Sequence, residues 1–181
     1  MSTTQQQSAS SRHSFKGPVI VMGVAGCGKS SVGMRLAEAL DLPYQEGDEL
    51  HPPANIDKMS EGTPLTDEDR WPWLDLIGQR IAEHAATGIV VTCSALKKSY
   101  RDRLREAAGG RLAFVFLDGS KELLTQRMGN RTGHFMPTTL LDSQLATLER
   151  PDGEAGVVIV DIDNTPAAIT ELAVTRLRAL D

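Results

Sequence analysis

Eight consecutive residues, Gly23-Val24-Ala25-Gly26-Cys27-Gly28-Lys29-Ser30, fit the phosphate-binding pattern G-x-x-x-x-G-K-[ST]. An apolar run at 19–22 precedes them, as a buried strand would, and residues 31–40 have the spacing of an amphipathic helix. In a loop of this kind backbone N–H groups surround a β-phosphate at the helix N-terminus, the lysine reaches the β- and γ-phosphate oxygens, and the serine hydroxyl ligates Mg²⁺. A glycine-rich turn that binds nothing is the alternative, but strand, spacing and helix together favour a nucleoside triphosphate site. The predicted nucleotide-binding residues are Gly23, Val24, Ala25, Gly26, Cys27, Gly28, Lys29, Ser30 and Ser31, with Ser30 as the Mg²⁺ ligand.

A second group of polar residues follows the next two predicted strands or lies on the helices after them. Because the carboxyl ends of parallel strands meet at one edge of a sheet, we expect these side chains near the phosphate loop. A carboxylate there can accept the proton of a hydroxyl group, and several cations suit an anionic acceptor and the charge of phosphoryl transfer. The phosphate loop alone fits a kinase, a GTPase or a mechanical ATPase, whereas this second group favours a small-molecule kinase. Its members are Asp48, His51, Lys58, Arg70, Ser94, Lys97 and Arg101.

Strands and helices alternate along the chain. Apolar runs predict strands at 19–22, 42–46, 89–93, 112–117 and 157–160. Helical patterns predict a helix capped by Thr66 or Asp67 that ends before Gly88, and further helices at 31–40, 51–59, 99–108, 121–130, 140–148 and 166–180. Alternation of this kind predicts an α/β fold with a mainly parallel five-stranded sheet covered by helices on both faces.

Composition narrows the class of protein. The 181 residues suffice for one domain with a sizeable core, and no apolar run is long enough to span a bilayer. A net charge of −5, from 19 basic and 24 acidic residues, argues against a nucleic-acid surface and favours a small-molecule partner. The two cysteines make neither a disulfide framework nor a metal quartet, which fits a reducing compartment such as the cytoplasm. Residues 1–17, rich in Ser, Thr and Gln, are predicted to be a disordered tail, with an organelle transit peptide as the lesser alternative, and residues 18–181 to form the catalytic domain.

Five blocks, at 22–30, 47–52, 64–74, 93–97 and 134–136, resemble in order and spacing the signature segments of gluconokinase, a P-loop kinase family related to shikimate and adenylate kinases. The resemblance covers nearly all of the chain from Val19 onward. It implies the P-loop NTPase fold of the nucleoside monophosphate kinase type, a three-layer sandwich with a mobile lid at about 131–138. It also implies a homodimer that uses ATP and Mg²⁺ to phosphorylate D-gluconate at its 6-hydroxyl, giving 6-phospho-D-gluconate and ADP.

The same resemblance assigns roles to individual residues. Asp48 corresponds to the base or hydroxyl-orienting group. Arg127 and Arg131 resemble the two arginines that open the lid, the first expected along the adenine and the second on the transferring phosphoryl group. His134, inside the lid, is expected to meet the substrate on closure. The predicted catalytic residues are Lys29, Asp48 and Arg131, and the predicted substrate-binding residues are Asp48, His51, Lys58, Arg70, Ser94, Lys97, Arg101 and His134.

The metal site departs from the generic pattern. Asp118 and Asp161 each end an apolar strand, as the second Mg²⁺ motif of P-loop proteins does. The strand expected beside the phosphate-loop strand is 89–93, however, and it ends in Ser94 instead of an acid. We therefore assign the metal to Ser30 and waters, one of them oriented by Asp48.

The sequence allows alternative interpretations of Cys27, of the two tryptophans and of the function. Cys27, in the phosphate loop beside Lys29, is either a reactive thiol that MgATP protects or a small residue with its sulfur turned inward. Trp71 and Trp73 are assigned to core packing in preference to ligand stacking. The competing functions are a related kinase for another hydroxy acid or a nucleotide, and a nucleotide sensor without catalysis.

Overall fold

The computed structural model describes residues 15–129 and 138–180. Its strands are β1 (Val19–Met22), β2 (Tyr44–Gln45), β3 (Val90–Thr92), β4 (Ala113–Asp118) and β5 (Val157–Asp161). Its helices are α1 (Lys29–Leu40), α2 (Pro53–Ser60), α3 (Asp67–Glu83), α4 (Lys98–Ala108), α5 (Lys121–Gly129), α6 (Thr138–Thr147) and α7 (Pro166–Arg178), with a 3₁₀ turn at Gly47–Leu50. The predicted strands and helices are therefore present, with ends that differ by a few residues.

The five strands form one parallel sheet in the order β2-β3-β1-β4-β5. The phosphate-loop strand is central, with Val19 in register with Val90 on one side and with Ala113 on the other. The prediction that the strand ending before Ser94 lies beside β1 is confirmed. Because β1 has neighbours on both sides, the loop that follows it opens at the middle of the carboxyl edge of the sheet.

Side chains of β1 alternate between two hydrophobic cores, one on each face of the sheet. Val19 and Val21 belong to the core that includes Leu36 of α1 and Leu177 of α7. Ile20 and Met22 belong to the opposite core, together with residues of α3 and α4. Burial on both faces explains why β1 is continuously apolar, and it produces the predicted three layers of helix, sheet and helix.

The turn after β2 lies unusually close to β3. A Cβ atom at Gly47 would come within 1.8 Å of the Thr92 carbonyl oxygen, so only glycine allows this approach. The Gly47 N–H donates to the Thr92 hydroxyl at 3.0 Å, and the indole N–H of Trp73 donates to the Gly47 carbonyl at 2.8 Å. These contacts fix the turn that carries Asp48.

The predicted tail and lid can be compared with the structure only in part. Phe15 lies in the predicted tail, but it is only 2% exposed and packs in the core that contains Val19. The rest of the predicted tail, and nearly all of the predicted lid, lie outside the described residues. Among the described helices, none is long and apolar enough to cross a membrane.

Candidate active site

The phosphate loop connects β1 directly to α1. Gly28 adopts a left-handed conformation, with φ of 91°, immediately before α1 begins at Lys29. The Lys29 ammonium group donates to the carbonyl oxygens of Gly23 at 3.0 Å and Val24 at 3.2 Å. The lysine therefore lies over the mouth of the loop, where it would meet the phosphates of a nucleotide.

Cys27, within this loop, is buried. Its side chain is 1% exposed, and its sulfur lies 4.0 Å from the Lys29 Nζ. A Cβ atom at Gly23 would come within 2.7 Å of the same sulfur, so the thiol fills space that the glycine leaves free. This burial supports the inward-facing interpretation of Cys27 over the reactive one.

Sequence reasoning missed Glu46, the acid that the structure places against the phosphate loop. The Ser30 hydroxyl donates to one carboxylate oxygen of Glu46 at 2.7 Å, and the Thr92 hydroxyl donates to the other at 2.7 Å. The Tyr44 hydroxyl also donates to Glu46. The acid beside the predicted metal ligand is thus Glu46 from the end of β2, whereas Asp48, predicted for this role, is 81% exposed on the turn beyond it.

The three hydroxyl donors keep Glu46 ionised. Partial burial alone would raise the pKa of Glu46. The hydrogen bonds from Tyr44, Ser30 and Thr92 and the nearby charge of Lys29 outweigh burial, so the pKa of Glu46 lies below its ordinary value. Burial and the same carboxylate raise the pKa of Tyr44, so its hydroxyl stays a donor. The sequence signal was an acid directly before the Gly47-Asp48 block, without a pattern to give it a role.

His51 is buried and packs against core residues. Its side chain is 4% exposed and stacks on Trp73, with ring centroids 4.1 Å apart. Asn55 donates its amide to Nδ1 at 3.2 Å, which places the ring proton on Nε2, facing the Asp48 carboxylate 3.9 Å away. Burial lowers the pKa of His51 and the charge of Arg70 lowers it further, against the opposing effect of Asp48. His51 is therefore neutral and supports the turn that carries Asp48. Trp73 is buried, which confirms its assignment to the core.

Charged groups from separate elements converge at the end of β3. The thiol of Cys93 is buried there, and burial is the main reason that its pKa rises to about 12. The Gly23 N–H donates to the Ser94 carbonyl just beyond β3, and the Gly47 N–H donates to the Thr92 hydroxyl at its end. The structure therefore brings the phosphate loop, which holds Lys29, and the turn that carries Asp48 to the same edge of the sheet.

A cavity of about 330 Å³ lies between the starts of α3 and α4 and helix α6. Lys97 donates to both carboxylate oxygens of Asp67, at 3.0 and 3.2 Å, and Arg70 donates to the Tyr100 hydroxyl at 3.0 Å. Only one nitrogen of the Arg70 guanidinium has a hydrogen-bond partner among the described residues, so its other donors suit an incoming anion. The cavity is lined by Pro64, Leu65, Thr66, Asp67, Glu68, Arg70, Lys97, Tyr100, Ser143 and Thr147.

The predicted role of Arg101 in substrate binding needs correction. Its side chain is completely buried and forms an ion pair with Glu154 at 2.7 Å. Its other donors bond the carbonyl oxygens of Ala95 and Glu149, both at 2.8 Å. Since all three guanidinium nitrogens have protein partners, Arg101 positions the loop after β3 and does not face the cavity.

Of the other predicted site residues, three lie among the described residues and two lie outside them. Lys58 is partly exposed and pairs with Asp69 at 2.7 Å, and Ser94 accepts a hydrogen bond from the Gly23 N–H through its backbone carbonyl at 3.3 Å. Arg127, at the end of α5, donates to the carbonyl oxygens of Ile162 and Asn164 in the loop after β5. Arg131 and His134 lie outside the described residues.

Comparisons with known proteins identify the family. A family model described as an AAA domain matches residues 19–151. The gluconokinase of Gluconobacter oxydans is 47% identical over 165 residues, which cover 90% of this chain and 92% of that protein. The chain belongs to the gluconokinase family. The resemblance inferred from the five sequence blocks is thereby confirmed.

Solved structures agree with the gluconokinase assignment. A gluconokinase from Sinorhizobium meliloti is 58% identical, with a TM-score of 0.87 over 92% of this chain and 94% of that one. Shikimate kinase from Aquifex aeolicus, at 16% identity and a TM-score of 0.60, covers 90% of this chain and 96% of that one and shares the fold alone. The predicted α/β fold of the P-loop kinases is confirmed.

Proposed function

We propose that this chain transfers the γ-phosphoryl group of ATP to the 6-hydroxyl of D-gluconate, giving 6-phospho-D-gluconate and ADP. The observation that carries the proposal is the cavity of about 330 Å³ that contains Arg70 and Lys97. One of its walls is α6, which also contacts the phosphate loop through Gln144. A sugar acid brings one carboxylate and several hydroxyls. It therefore suits this cavity, where Lys97 offsets the charge of Asp67 and Arg70 keeps unused donors beside Glu68. Thr66, Tyr100, Ser143 and Thr147 add hydroxyl groups to the lining.

Arg70 is the better candidate for the carboxylate. Lys97 already pairs with Asp67, whereas Arg70 spends one nitrogen on a neutral hydroxyl and keeps a planar donor pair for a bidentate contact. With the acid group bound at this end, we place the opposite end of the six-carbon chain toward the phosphate loop and its 6-hydroxyl near Asp48. The Asp48 carboxylate is exposed, with His51 3.9 Å away, and can accept the hydroxyl proton.

Lys29 supplies charge on the nucleotide side. In this structure it bonds two carbonyl oxygens of its own loop, and a bound triphosphate would offer stronger acceptors to the same ammonium group. Its role is to neutralise charge that develops on the transferring phosphoryl group. Arg131, carried over from the family pattern, is proposed to join it from the lid, with Arg127 beside the adenine and His134 at the substrate.

The donor set around Ser30 fits Mg²⁺. This ion prefers oxygen ligands and keeps several waters, so the Ser30 hydroxyl as direct ligand and the Glu46 carboxylate as acceptor for a metal-bound water form a suitable pair. Bound Mg²⁺ would neutralise phosphate charge during transfer. Glu46 has a second task, because the same carboxylate holds Ser30, Tyr44 and Thr92 in place before nucleotide arrives.

A coupled assay of ADP release tests the reaction. We expect turnover with gluconate and MgATP, and little with shikimate or a nucleoside monophosphate. The Arg70→Met variant should raise the Michaelis constant for gluconate, because it removes the proposed carboxylate ligand, while Arg80→Met on the exposed part of α3 serves as the control. Strong phosphorylation of another acceptor with none of gluconate would overturn the proposal.

We also propose that the enzyme works in the cytoplasm as a homodimer. The family pattern supports the dimer, and the two buried cysteines, both free, suit a reducing compartment. Light scattering coupled to size-exclusion chromatography should give twice the monomer mass of 19.6 kDa. A monomer that is fully active at the same concentration would contradict the dimer.

A further inference from the structure

One hydrogen bond joins the phosphate loop to a helix distant in sequence. The backbone N–H of Ala25, the third residue of the loop, donates to the side-chain Oε1 of Gln144 at 2.7 Å. Gln144 lies on α6, and 119 residues separate the two partners. No part of the phosphate-loop pattern and none of the predicted roles requires this contact.

Helix α6 also borders the acceptor cavity. Ser143 and Thr147, on either side of Gln144 in sequence, line the cavity that contains Arg70 and Lys97. Leu141 of the same helix is 1% exposed in the core that contains the phosphate-loop residue Val24. The same helix therefore contacts the phosphate loop through Gln144 and the cavity through its hydroxyl residues.

The segment that follows α6 is hydrogen-bonded to the residues on either side of Lys97. The backbone N–H of Glu149 donates to the Leu96 carbonyl at 2.8 Å, and the Glu149 carboxylate accepts from the Lys98 N–H at 2.8 Å. These two bonds hold both neighbours of Lys97. The Glu149 carbonyl in turn accepts from the buried Arg101. Displacement of this helix would thus be felt at the acceptor cation and at the phosphate loop together.

We propose that Gln144 is a positioning residue that couples acceptor binding to nucleotide binding. Contacts of the acceptor with Ser143, Thr147 and Lys97 fix α6, and the Gln144–Ala25 hydrogen bond transmits that position to the phosphate loop. Each ligand then strengthens binding of the other, since coupling between two sites is reciprocal. This inference rests on the proposed function for the identity of the acceptor.

Isothermal titration calorimetry with a non-hydrolysable ATP analogue and Mg²⁺, with and without gluconate, measures the coupling as a ratio of dissociation constants. In the wild type we expect gluconate to tighten nucleotide binding by about 5-fold or more. Gln144→Met removes the acceptor oxygen at nearly constant size, and the ratio should fall toward one. Gln144→Glu keeps an acceptor for the Ala25 N–H; its added charge weakens nucleotide binding in both conditions and largely cancels from the ratio, so coupling should persist.

Gln79→Met, at an exposed position of α3, is the matched control and should keep the wild-type ratio. A Gln144→Met enzyme with an unchanged ratio would overturn the proposal, as would a wild type whose nucleotide affinity ignores gluconate. Gluconate-dependent ADP release by the wild type is measured separately. A wild type that turns over gluconate without coupling rejects the role of Gln144 alone, whereas failure to turn over gluconate rejects the proposed reaction.

Discussion

At the scale of single residues, the proposed mechanism gives two nearby acids different tasks: Asp48 acts on the acceptor and Glu46 serves the phosphate loop. Asp48 and Glu46 are two positions apart, yet Asp48 is exposed and Glu46 is held by three hydroxyl groups. Asp48→Asn should lower turnover by about 10²-fold or more, because it removes the proposed proton acceptor, and leave nucleotide affinity unchanged. Lys29→Ala should lower both. Steady-state kinetics and nucleotide titration measure the difference, with the exposed neighbour Glu49→Gln as control, and near-normal turnover in Asp48→Asn would remove Asp48 from the mechanism.

Glu46 carries a prediction about the metal. Glu46→Gln removes the charge beside Ser30 while keeping the size of the side chain, so the Mg²⁺ concentration needed for half-maximal activity should rise by about 10- to 100-fold. Direct Mn²⁺ binding in the presence of ADP, followed by electron paramagnetic resonance, should weaken in parallel. Tyr44→Phe keeps the carboxylate and removes one donor, so it should change metal affinity less. Equal metal affinity in Glu46→Gln and wild type would contradict the assignment.

At the scale of elements, the order of strands and helices followed from the sequence, but some side-chain environments did not. The apolar run of β1, the glycines after it and the Thr66 cap of α3 are local signals, and the structure has all three. Glu46 was missed and Arg101 misassigned because both depend on partners distant in the chain: Thr92 for the first, Glu154 and Glu149 for the second. Phe15 was assigned to a tail because a single aromatic residue gives no periodic pattern, although it reaches the core.

The correction to Arg101 can be tested at the same scale. Arg101→Ala leaves Glu154 without its buried partner and should lower the free energy of unfolding by about 3 kcal/mol. Arg103→Ala on the same helix removes an exposed pair with Asp75 and should cost less than about 1 kcal/mol. Urea denaturation measures both. Arg101→Lys, which keeps the charge, should retain the Michaelis constant for gluconate, and a large increase in that constant without loss of stability would restore Arg101 to the substrate site.

At the scale of the whole molecule, the ion pairs predict how stability changes in acid. A hydrogen bond from Lys58, reinforced by Thr66 at the start of α3, lowers the pKa of Asp69 from 3.8 to about 2. Burial alone would raise the pKa of Glu154, but hydrogen bonds from Arg101 and Arg105 outweigh burial and lower it. A carboxylate whose pKa is lower in the folded state contributes stability above its unfolded pKa and loses that contribution as pH falls through the folded value. The free energy of unfolding should therefore fall between about pH 4 and pH 2. Urea denaturation across this range checks the trend, and constant stability down to pH 2 would contradict it.

The alkaline side depends on buried groups that are neutral in the folded protein. Burial raises the pKa of the Cys93 thiol from 9.0 to about 12, so between these values the folded state retains a proton that the unfolded state has released. Stability from this group is complete below about pH 9 and falls as pH rises toward 12, by about 1.4 kcal/mol for each pH unit at most. Cys93→Ala should flatten the decline measured by urea denaturation between pH 9 and 10, where Tyr44 and Tyr100 contribute equally to the slopes of the variant and the wild type. Since the thiol is packed against the end of β3, the variant will also lower stability at pH 7, and only the slope with pH tests the prediction. An unchanged slope would show that the thiol does not control stability on the alkaline side.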